Sequence, residues 1–231
     1  MWAEKIAERI IARSKPPYTL TTGATPSGPF HLGHLREVLT ADIVVWALKK
    51  AGKKPRFYFI VDDFDPLRKR YPFLPEKFED YVGKPLCLIP DPENCHQNYA
   101  EHFFAPFRKA LKELGIKVKI KKASELYRKG HFAPYIEKAL RQKEEIAEIL
   151  KKVAGTKIEK DFSPFRPLCP QCHRLTSTKV KEVDYARQEV QIECECGFKG
   201  KVNYAKGGGK LIWRVHWPAW WMYFNTSAEP F

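Results

Sequence analysis

The chain has 231 residues, of which 44% are hydrophobic, so it can bury one large core or a core with a small appended unit. Its formal charge of +14 favours a folded surface that binds polyanions, the alternative being a charge that only keeps the protein soluble. No apolar run approaches about 18 residues and the N-terminus mixes charge with apolar spacing, which excludes a signal peptide and a transmembrane segment. We therefore expect a cytoplasmic protein without a membrane partner.

The first half of the chain predicts alternating helices and strands. The predicted elements are a helix over residues 2–14, a strand over 18–22, a loop over 23–30, a helix over 34–52 and an apolar strand over 56–63. Together they make a βαβ unit with a right-handed crossover. A helix over 98–114 and a third strand within 116–122 extend it into a doubly wound α/β sheet.

The second half of the chain contains an irregular segment between regular ones. Residues 134–155 are helical by pattern, and residues 161–206 are rich in turns and carry cysteines. The segment KLIWRVHWPAWWMYF again has the apolar pattern of a strand followed by a helix. We therefore interpret the cysteine region before it as an insertion.

The segment TTGATPSGPFHLGHLREV places two histidines at the start of the second predicted helix. Ligands of open α/β sheets bind at the carboxyl ends of the strands, where helix N-termini present free N–H groups. The glycines allow close approach of a phosphate, and the imidazoles can donate to phosphoryl oxygens, although two structural histidines are the alternative. The candidate phosphate-binding residues are Thr25, Pro26, Ser27, Gly28, His31, Gly33 and His34.

Carboxylates follow the second predicted strand, where a substrate pocket is expected. They could hold a cationic substrate, coordinate a metal, or pair with the neighbouring basic residues at 68–70. Two tryptophans four residues apart could wall a long aliphatic cation, or belong to the core. The candidate substrate-binding side chains are Glu37, Asp62, Asp63, Asp65, Trp217 and Trp221.

Two close cysteine pairs predict a structural zinc site with four thiolate ligands. Unligated thiols or a redox pair are the alternatives, and the absence of a secretory signal disfavours a disulfide framework. The residues between the pairs predict a hairpin, giving a zinc-ribbon-like unit whose folding depends on the metal. The predicted ligands are Cys169, Cys172, Cys194 and Cys196.

A second group of mixed metal ligands lies within twelve residues: Asp91, Cys95, His96 and His102. These residues could bind a second zinc ion. The alternative is a loop whose polar groups are all satisfied by hydrogen bonds within the loop. Adjacent ligands at 95 and 96 require an irregular backbone.

The segment PSGPFHLGH resembles the HIGH signature of class I aminoacyl-tRNA synthetases, with Leu32 in place of isoleucine. With YFIVDDFDPLRK it resembles the archaeal-type class I lysyl-tRNA synthetases over essentially the whole chain. The resemblance implies a Rossmann-like (HUP-type) parallel sheet with an inserted zinc-ribbon-like subdomain. It also implies a ligase that uses ATP with Mg²⁺ to make lysyl-adenylate, then transfers the lysyl group to tRNA(Lys).

The resemblance also assigns roles to residues. His31 and His34 would bind ATP phosphate oxygens and stabilise the transition state at the α-phosphorus. Gly23 and Thr25 would hold the α-amino and carboxyl end of lysine. The zinc-ribbon-like unit, with its bordering lysines, would contact tRNA near the acceptor end.

The family pattern further implies a division of the chain. Residues 1–125 would form the first half of the nucleotide-binding fold, 126–206 the connective insertion with its zinc knuckle, and 207–231 the start of the second half. A KMSKS-like loop and an anticodon-binding region are not found in the sequence, so we expect a truncated portion that does not turn over alone. The alternatives are a glutamyl-type class I synthetase and a non-enzymatic, zinc-containing RNA-binding protein.

Overall fold

The computed structural model describes residues 1–230 as helices and strands in alternation, followed by a strand-rich region. The helices are α1 (Trp2–Arg13), α2 (Leu32–Lys50), α3 (Tyr99–Glu113), α4 (Ala123–Arg128), α5 (Ala133–Arg141), α6 (Lys143–Ala154) and α7 (Trp213–Phe224). The strands are β1 (Thr19–Ala24), β2 (Arg56–Val61), β3 (Lys119–Lys122), β4 (Phe165–Pro167), β5 (Thr178–Asp184), β6 (Glu189–Cys194), β7 (Lys199–Asn203) and β8 (Gly209–Leu211). Short 3-10 helices lie at Glu76–Tyr81, Leu86–Leu88 and Tyr204–Lys206.

These elements divide into two compact units, each built from separate stretches of chain. The first unit contains Met1–Asp63, Leu86–Ala123 and the residues from Trp220 onward. The second contains Phe64–Pro85 and Ser124–Ala219. The division predicted from the sequence, at residues 1–125, 126–206 and 207–231, remains a prediction.

The first unit is built on a parallel sheet with the strand order β1-β2-β3. In the register of this sheet Ala24 pairs with Val61, and Val61 with Lys122, so the carboxyl ends of all three strands lie at one edge. The other side of β1 binds the chain after α7, where the Thr21 N–H donates to the Ala228 carbonyl over 3.2 Å. This arrangement confirms the predicted α/β fold with its parallel strands.

The core of the first unit explains why the sequence of β2 is almost entirely apolar. Its residues Phe57, Phe59 and Val61 are buried among side chains of α1, α2 and α3. Helices therefore supply apolar cover for the sheet, and each fully buried Phe or Val contributes roughly 1.5–3 kcal/mol.

The second unit contains two antiparallel sheets. β5, β6 and β7 form a three-stranded sheet in chain order, which confirms the predicted hairpin between the cysteine pairs. The separate β4–β8 pair places Arg166 opposite Lys210. Fully buried aromatic residues, among them Tyr127, Phe132 and Tyr204, form the apolar interior of this unit.

Two details differ from the sequence prediction. The stretch 134–155 is not one helix, because Gln142 ends α5 and begins α6. The third strand is limited to β3, shorter than the segment 116–122 that the pattern allowed. No helix within residues 1–230 is both long and apolar enough to cross a membrane.

Candidate functional site

The two histidines predicted at the start of a helix lie in its first turn. His31 is the N-cap of α2, and its Nδ1 accepts a hydrogen bond from the Gly33 N–H over 3.1 Å. The Nδ1 of His34 accepts from the His31 N–H over 3.2 Å. Because each neutral ring uses Nδ1 as an acceptor, its proton lies on Nε2, and each ring presents an N–H donor beyond the helix.

The surroundings of His34 keep it neutral near pH 7. Burial lowers the pKa of His34 below its ordinary value, and the nearby His31 acts in the same direction. The two ring centroids are 4.0 Å apart, and Phe30 packs against His34 at 4.8 Å. Phe30 in turn stacks on Phe107 of α3, which anchors this end of the loop in the core.

The loop before α2 is held by a residue that the sequence pattern did not single out. The buried Tyr99, at the start of α3, donates its hydroxyl hydrogen bond to the Ser27 carbonyl over 2.7 Å. The Ser27 N–H donates to the Thr25 carbonyl over 2.8 Å, which tightens the turn around the buried Pro26. Thr25 to Gly28 therefore form a supported turn between β1 and the histidines.

The predicted acidic group is divided between the two units. Asp62 and Asp63 follow β2 in the first unit and are 2% and 4% exposed. The Asp62 N–H donates to the Ala24 carbonyl, so this residue lies beside the end of β1. Glu37 is half-buried on α2, and burial raises the pKa of its carboxyl group.

Asp65 lies in the second unit and is ion-paired there. Its oxygens contact Lys210 Nζ at 2.9 Å and Arg68 Nη2 at 3.2 Å. Burial alone would raise the pKa of Asp65, but the two cations outweigh burial and lower the pKa. The predicted pairing with the basic residues after the strand is thus observed for Arg68, while the sequence pattern missed Lys210.

The two predicted tryptophans lie on α7, as their spacing requires. Trp217 belongs to the second unit and is half-buried. Trp221 belongs to the first unit, where its indole N–H donates to the Glu229 carboxylate.

The four cysteines of the two pairs converge in the second unit. Their Sγ atoms all lie within 4.8 Å of one another, and Cys169–Cys196 and Cys172–Cys194 are both 3.6 Å apart. Tetrahedral zinc with bonds of about 2.3 Å separates its sulfur ligands by about 3.8 Å, so these distances fit the metal. A disulfide requires about 2.05 Å, and all four cysteines are free.

The turns around these cysteines are tight, and their surroundings shift the pKa values of individual thiols in opposite directions. Burial raises the pKa of Cys169 to about 12, whereas the pKa of Cys194 is lowered. His173 and Gly197 have positive φ angles of 57° and 94°, which lets each pair close in a tight turn. Burial opposes ionisation of Cys194, but hydrogen bonds from Ser177 and from the Cys196 N–H outweigh it and lower the pKa of this thiol to about 7. The Ser177 Oγ is 3.2 Å from the Cys194 Sγ.

The second predicted ligand group also converges, in the first unit. One ligand atom from each of Asp91, Cys95, His96 and His102 lies within 4.8 Å of the others. The Cys95 Sγ is 3.0 Å from Nδ1 of His96 and 3.3 Å from Nδ1 of His102. Mixed oxygen, sulfur and nitrogen donors of this kind fit zinc.

The backbone around this group is irregular, as adjacent ligands require. Asn94 has a φ angle of 56°, and Asp91 accepts hydrogen bonds from the N–H groups of Glu93, Cys95 and His96. Burial would raise the pKa of the Asp91 carboxyl group, but these backbone donors outweigh burial and lower the pKa. Asp91 thus both shapes the loop and stays ionised.

Comparisons with known proteins show which family this chain is similar to. The model of the family described as tRNA synthetases class I (K) matches residues 1–231. The lysine–tRNA ligase of Archaeoglobus fulgidus is 47% identical over 230 residues, which are 100% of this chain and 46% of that protein. Lysine–tRNA ligase 1 of Methanosarcina acetivorans is 46% identical (100% and 43%), and the ligase of Methanocaldococcus jannaschii is 44% identical (99% and 43%).

The chain spans less than half the length of these curated relatives. The matches support neither the glutamyl-type alternative nor a non-enzymatic RNA-binding protein. Because the family model covers the whole sequence, the chain belongs to the class I (K) family of tRNA synthetases.

Proposed function

We propose that this chain is the N-terminal catalytic portion of a class I lysyl-tRNA synthetase, and that the complete enzyme forms lysyl-adenylate from lysine and ATP. The observation that carries the proposal is the pair of Nε2–H donors that His31 and His34 present at the start of α2. The complete enzyme would transfer the lysyl group to tRNA(Lys) in the cytoplasm.

In this reaction a lysine carboxylate oxygen attacks the α-phosphorus, and the bond to the bridging oxygen breaks to release pyrophosphate. Negative charge is redistributed over the phosphoryl and bridging oxygens as the new bond forms. A preorganised N–H donor at such a charge contributes roughly 3–4 kcal/mol to the transition state. Mg²⁺ that arrives with ATP supplies further neutralisation of phosphate charge.

The two imidazoles suit this role because the backbone already orients them. Each Nδ1 is held by a main-chain N–H of the first helical turn, so little ordering remains when ATP binds. The partial positive charge at the N-terminus of α2 adds positive potential at the same place. Thr25 to Gly28 would line the phosphates beside them.

For lysine, we favour Asp62 or Asp63 over Asp65 as the partner of the ε-ammonium. Asp62 and Asp63 follow β2 in the unit that also holds Gly23 and Thr25, whereas Asp65 belongs to the other unit. A carboxylate 4 Å from an ammonium gains roughly 4 kcal/mol at an effective dielectric near 20, before desolvation is deducted. Glu37 and Trp221 of the same unit remain candidates for the rest of the pocket, and the role of Trp217 remains a prediction from the sequence.

Two zinc ions complete the proposal. The four cysteines would hold one, and the group of Asp91, Cys95, His96 and His102 the other. Zinc in closed sites of this kind supplies folding energy.

The test is ATP–pyrophosphate exchange by the complete gene product with a panel of lysine, arginine, ornithine and glutamate. His31→Ala and His34→Ala should each lower the lysine-dependent exchange rate roughly 100-fold. ATP affinity should change by less than about threefold, because the donors act mainly on transition-state charge. His131→Ala, an exposed histidine of the second unit, is the matched control. Undiminished exchange in both site variants, or equal exchange with arginine, would contradict the proposal.

A further inference from the structure

The second group of metal ligands lies close to the two histidines in the first unit. We call this group the 91–102 cluster, and its members are Asp91, Cys95, His96 and His102. His31 and three of these ligands line the same cavity, which has a volume of about 760 Å³. The candidate catalytic group and the candidate metal site are therefore neighbours, and a change at one site can reach the other over a short distance.

Tyr99, the first residue of α3, makes a direct contact with the histidine loop, which is the stretch of residues 25–31 between β1 and α2. Its side chain is fully buried, and its hydroxyl donates to the Ser27 carbonyl over 2.7 Å. Because the ring is enclosed in a closely packed core, the hydroxyl is held in one place. The hydrogen bond therefore fixes the loop four positions before His31.

The 91–102 cluster surrounds Tyr99 in the sequence. Its first three ligands precede α3, whereas His102 lies in the first turn of this helix, three residues after Tyr99. The Tyr99 N–H donates to the Ile89 carbonyl over 2.9 Å, which ties the start of α3 to the segment before the cluster. A metal ion that binds ligands on both sides of Tyr99 would close this stretch of chain into a loop and fix the start of α3.

Ring contacts connect the cluster to Tyr99 through side chains as well. His102 packs edge-on against Phe103, with ring centroids 4.7 Å apart, and Phe103 packs against Tyr99 at the same distance. One turn further along α3, Phe107 stacks on Phe30 of the histidine loop at 4.4 Å. Since packed rings have little free space around them, a displacement of His102 would move the groups that hold the loop.

From these contacts we infer that the 91–102 cluster controls adenylate formation indirectly, because it positions Tyr99 and Tyr99 positions the histidine loop at Ser27. The inference rests on the proposed function for the role of His31 and His34. Tyr99 is then a positioning residue. Without its hydroxyl, or without metal at the cluster, both imidazoles are still present but lose the arrangement that the transition state needs. Such a loss lowers kcat more than it lowers substrate affinity.

The first test compares Tyr99→Phe with Tyr18→Phe in the complete gene product. Tyr99→Phe keeps the ring and removes the hydroxyl, so kcat of lysine-dependent pyrophosphate exchange should fall roughly tenfold while KM for ATP changes less than about threefold. Amide hydrogen exchange within residues 25–31 should become faster because the loop opens more often, whereas β2 should exchange at the native rate. Tyr18→Phe alters another buried tyrosine of the first unit and should change none of these quantities.

The second test asks whether the cluster acts through Tyr99. Cys95→Ser should remove one zinc ion, and it should increase hydrogen exchange within residues 25–31 and lower kcat as Tyr99→Phe does. The double variant should be about as slow as the slower single variant, rather than about 100-fold slower than the native enzyme, because both changes break the same connection. Cys196→Ser, which removes a ligand of the four-cysteine site, should leave hydrogen exchange within residues 25–31 unchanged. His96→Ala replaces Cys95→Ser if that variant does not fold.

Three results would overturn the inference. They are native hydrogen exchange within residues 25–31 in both Tyr99→Phe and Cys95→Ser, losses of kcat that multiply in the double variant, and a zinc content that Cys95→Ser leaves unchanged. Failure of the proposed function would be recognised differently, because the unaltered protein would then catalyse no lysine-dependent pyrophosphate exchange. The hydrogen-exchange measurements would still show whether the cluster and Tyr99 hold the loop.

Discussion

At the scale of single residues, two glycines of the first unit lack a side chain for different reasons. A Cβ on Gly33 would lie 2.8 Å from Cε1 of the His31 ring. A Cβ on Gly23 would lie 2.5 Å from the Ile60 carbonyl oxygen of the neighbouring strand. An exposed imidazole can rotate away, whereas a strand backbone cannot. Gly33 thus leaves room for the observed orientation of the His31 ring, for which we propose a catalytic role, and Gly23 lets two strands pair.

Gly33→Ala should therefore separate activity from stability. We expect pyrophosphate exchange to fall roughly 10- to 100-fold because the His31 ring loses its position, with a change of less than about 1 kcal/mol in the free energy of unfolding. Gly23→Ala, the matched comparison, should cost about 1–3 kcal/mol of stability through overpacking. Urea unfolding and exchange measured on both proteins check this, and a fully active Gly33→Ala would show that His31 needs no fixed orientation.

His216 is a buried neutral base in the second unit. The Leu211 N–H donates to the Tyr127 hydroxyl oxygen over 3.1 Å, and this hydroxyl is 2.8 Å from Nδ1 of His216, to which it donates. Burial holds the pKa of His216 well below its ordinary value of 6.5, and the charge of Lys210 acts in the same direction. The native protein therefore keeps this ring unprotonated in mild acid.

This arrangement predicts a pH dependence of stability. Above about pH 6.5, His216 is mostly unprotonated in both the folded and the unfolded protein, so it has no effect on stability. Below about pH 6.5, the unfolded chain binds a proton at this histidine that the native protein does not bind. Stability should fall by about 1.4 kcal/mol per pH unit from this group as the pH drops below about 6.5. Urea unfolding at several pH values measures the slope. His216→Gln keeps an acceptor for Tyr127 and should reduce the slope by that amount; an identical slope in the variant would exclude His216 as its source.

Sequence patterns predict the chemistry-bearing residues of the candidate site but not the residues that support them. The length and apolar stripe of the segment from His34 to Gly52 predict a helix that starts beside the two histidines. Tyr99, which holds the loop at Ser27, is 72 positions away, and Lys210 is 145 positions from Asp65. Contacts of this kind depend on how distant elements pack, which no local pattern encodes.

At the scale of elements, the sheet of β5, β6 and β7 has little apolar interior of its own. Its buried residues are Val190, Ile192, Cys194 and Val202. A sheet with so few buried side chains does not offset the entropy of ordering its backbone, so we expect the proposed zinc to provide the difference.

Zinc content provides a direct check of the two metal clusters. The native protein, purified without a histidine tag, should contain two zinc ions per chain by elemental analysis. Cys196→Ser and Cys95→Ser should each lower the content by one, and Cys196→Ser should also expose residues 169–203 to proteolysis because the folding energy of zinc is lost. Cys87→Ser, a half-buried cysteine outside both clusters, is the matched control. One zinc per native chain would eliminate one of the sites.

The break between α5 and α6 shows where element prediction fails. The stretch 134–155 carries an apolar stripe with neither Gly nor Pro between Pro134 and Gly155, so periodicity gives no signal at Gln142. Packing explains the break, because α5 buries Ala133, Ile136, Ala139 and Leu140, whereas α6 buries only Leu150. Short strands are equally hard to predict. β8 has three residues, and neither its sequence nor that of β4 indicates that the two strands pair.

At the scale of the whole molecule, the first unit is completed by a distant part of the chain. Trp220 is fully buried, and Ala228 packs against the core formed by α1, α2 and the sheet. The Ser227 N–H donates to the Thr19 carbonyl over 2.7 Å, and the Thr19 N–H donates to the Ser227 hydroxyl over 3.2 Å. Residues 1–123 therefore contain the parallel sheet but leave one side of β1 without these partners.

Two truncations should measure how much the returning segment contributes. A chain ending at Phe224 loses the hydrogen bonds to β1, each contributing roughly 0.5–1.5 kcal/mol, and should unfold at lower urea concentration. A chain ending at Ala219 also loses the buried Trp220 side chain, which adds roughly 3–5 kcal/mol to the loss. The stabilities should thus fall in the order of full chain, Phe224 end and Ala219 end. Because β1 precedes the histidine loop, the chain ending at Ala219 should also bind ATP more weakly. Equal urea midpoints for all three chains would show that β1 is stable without this segment.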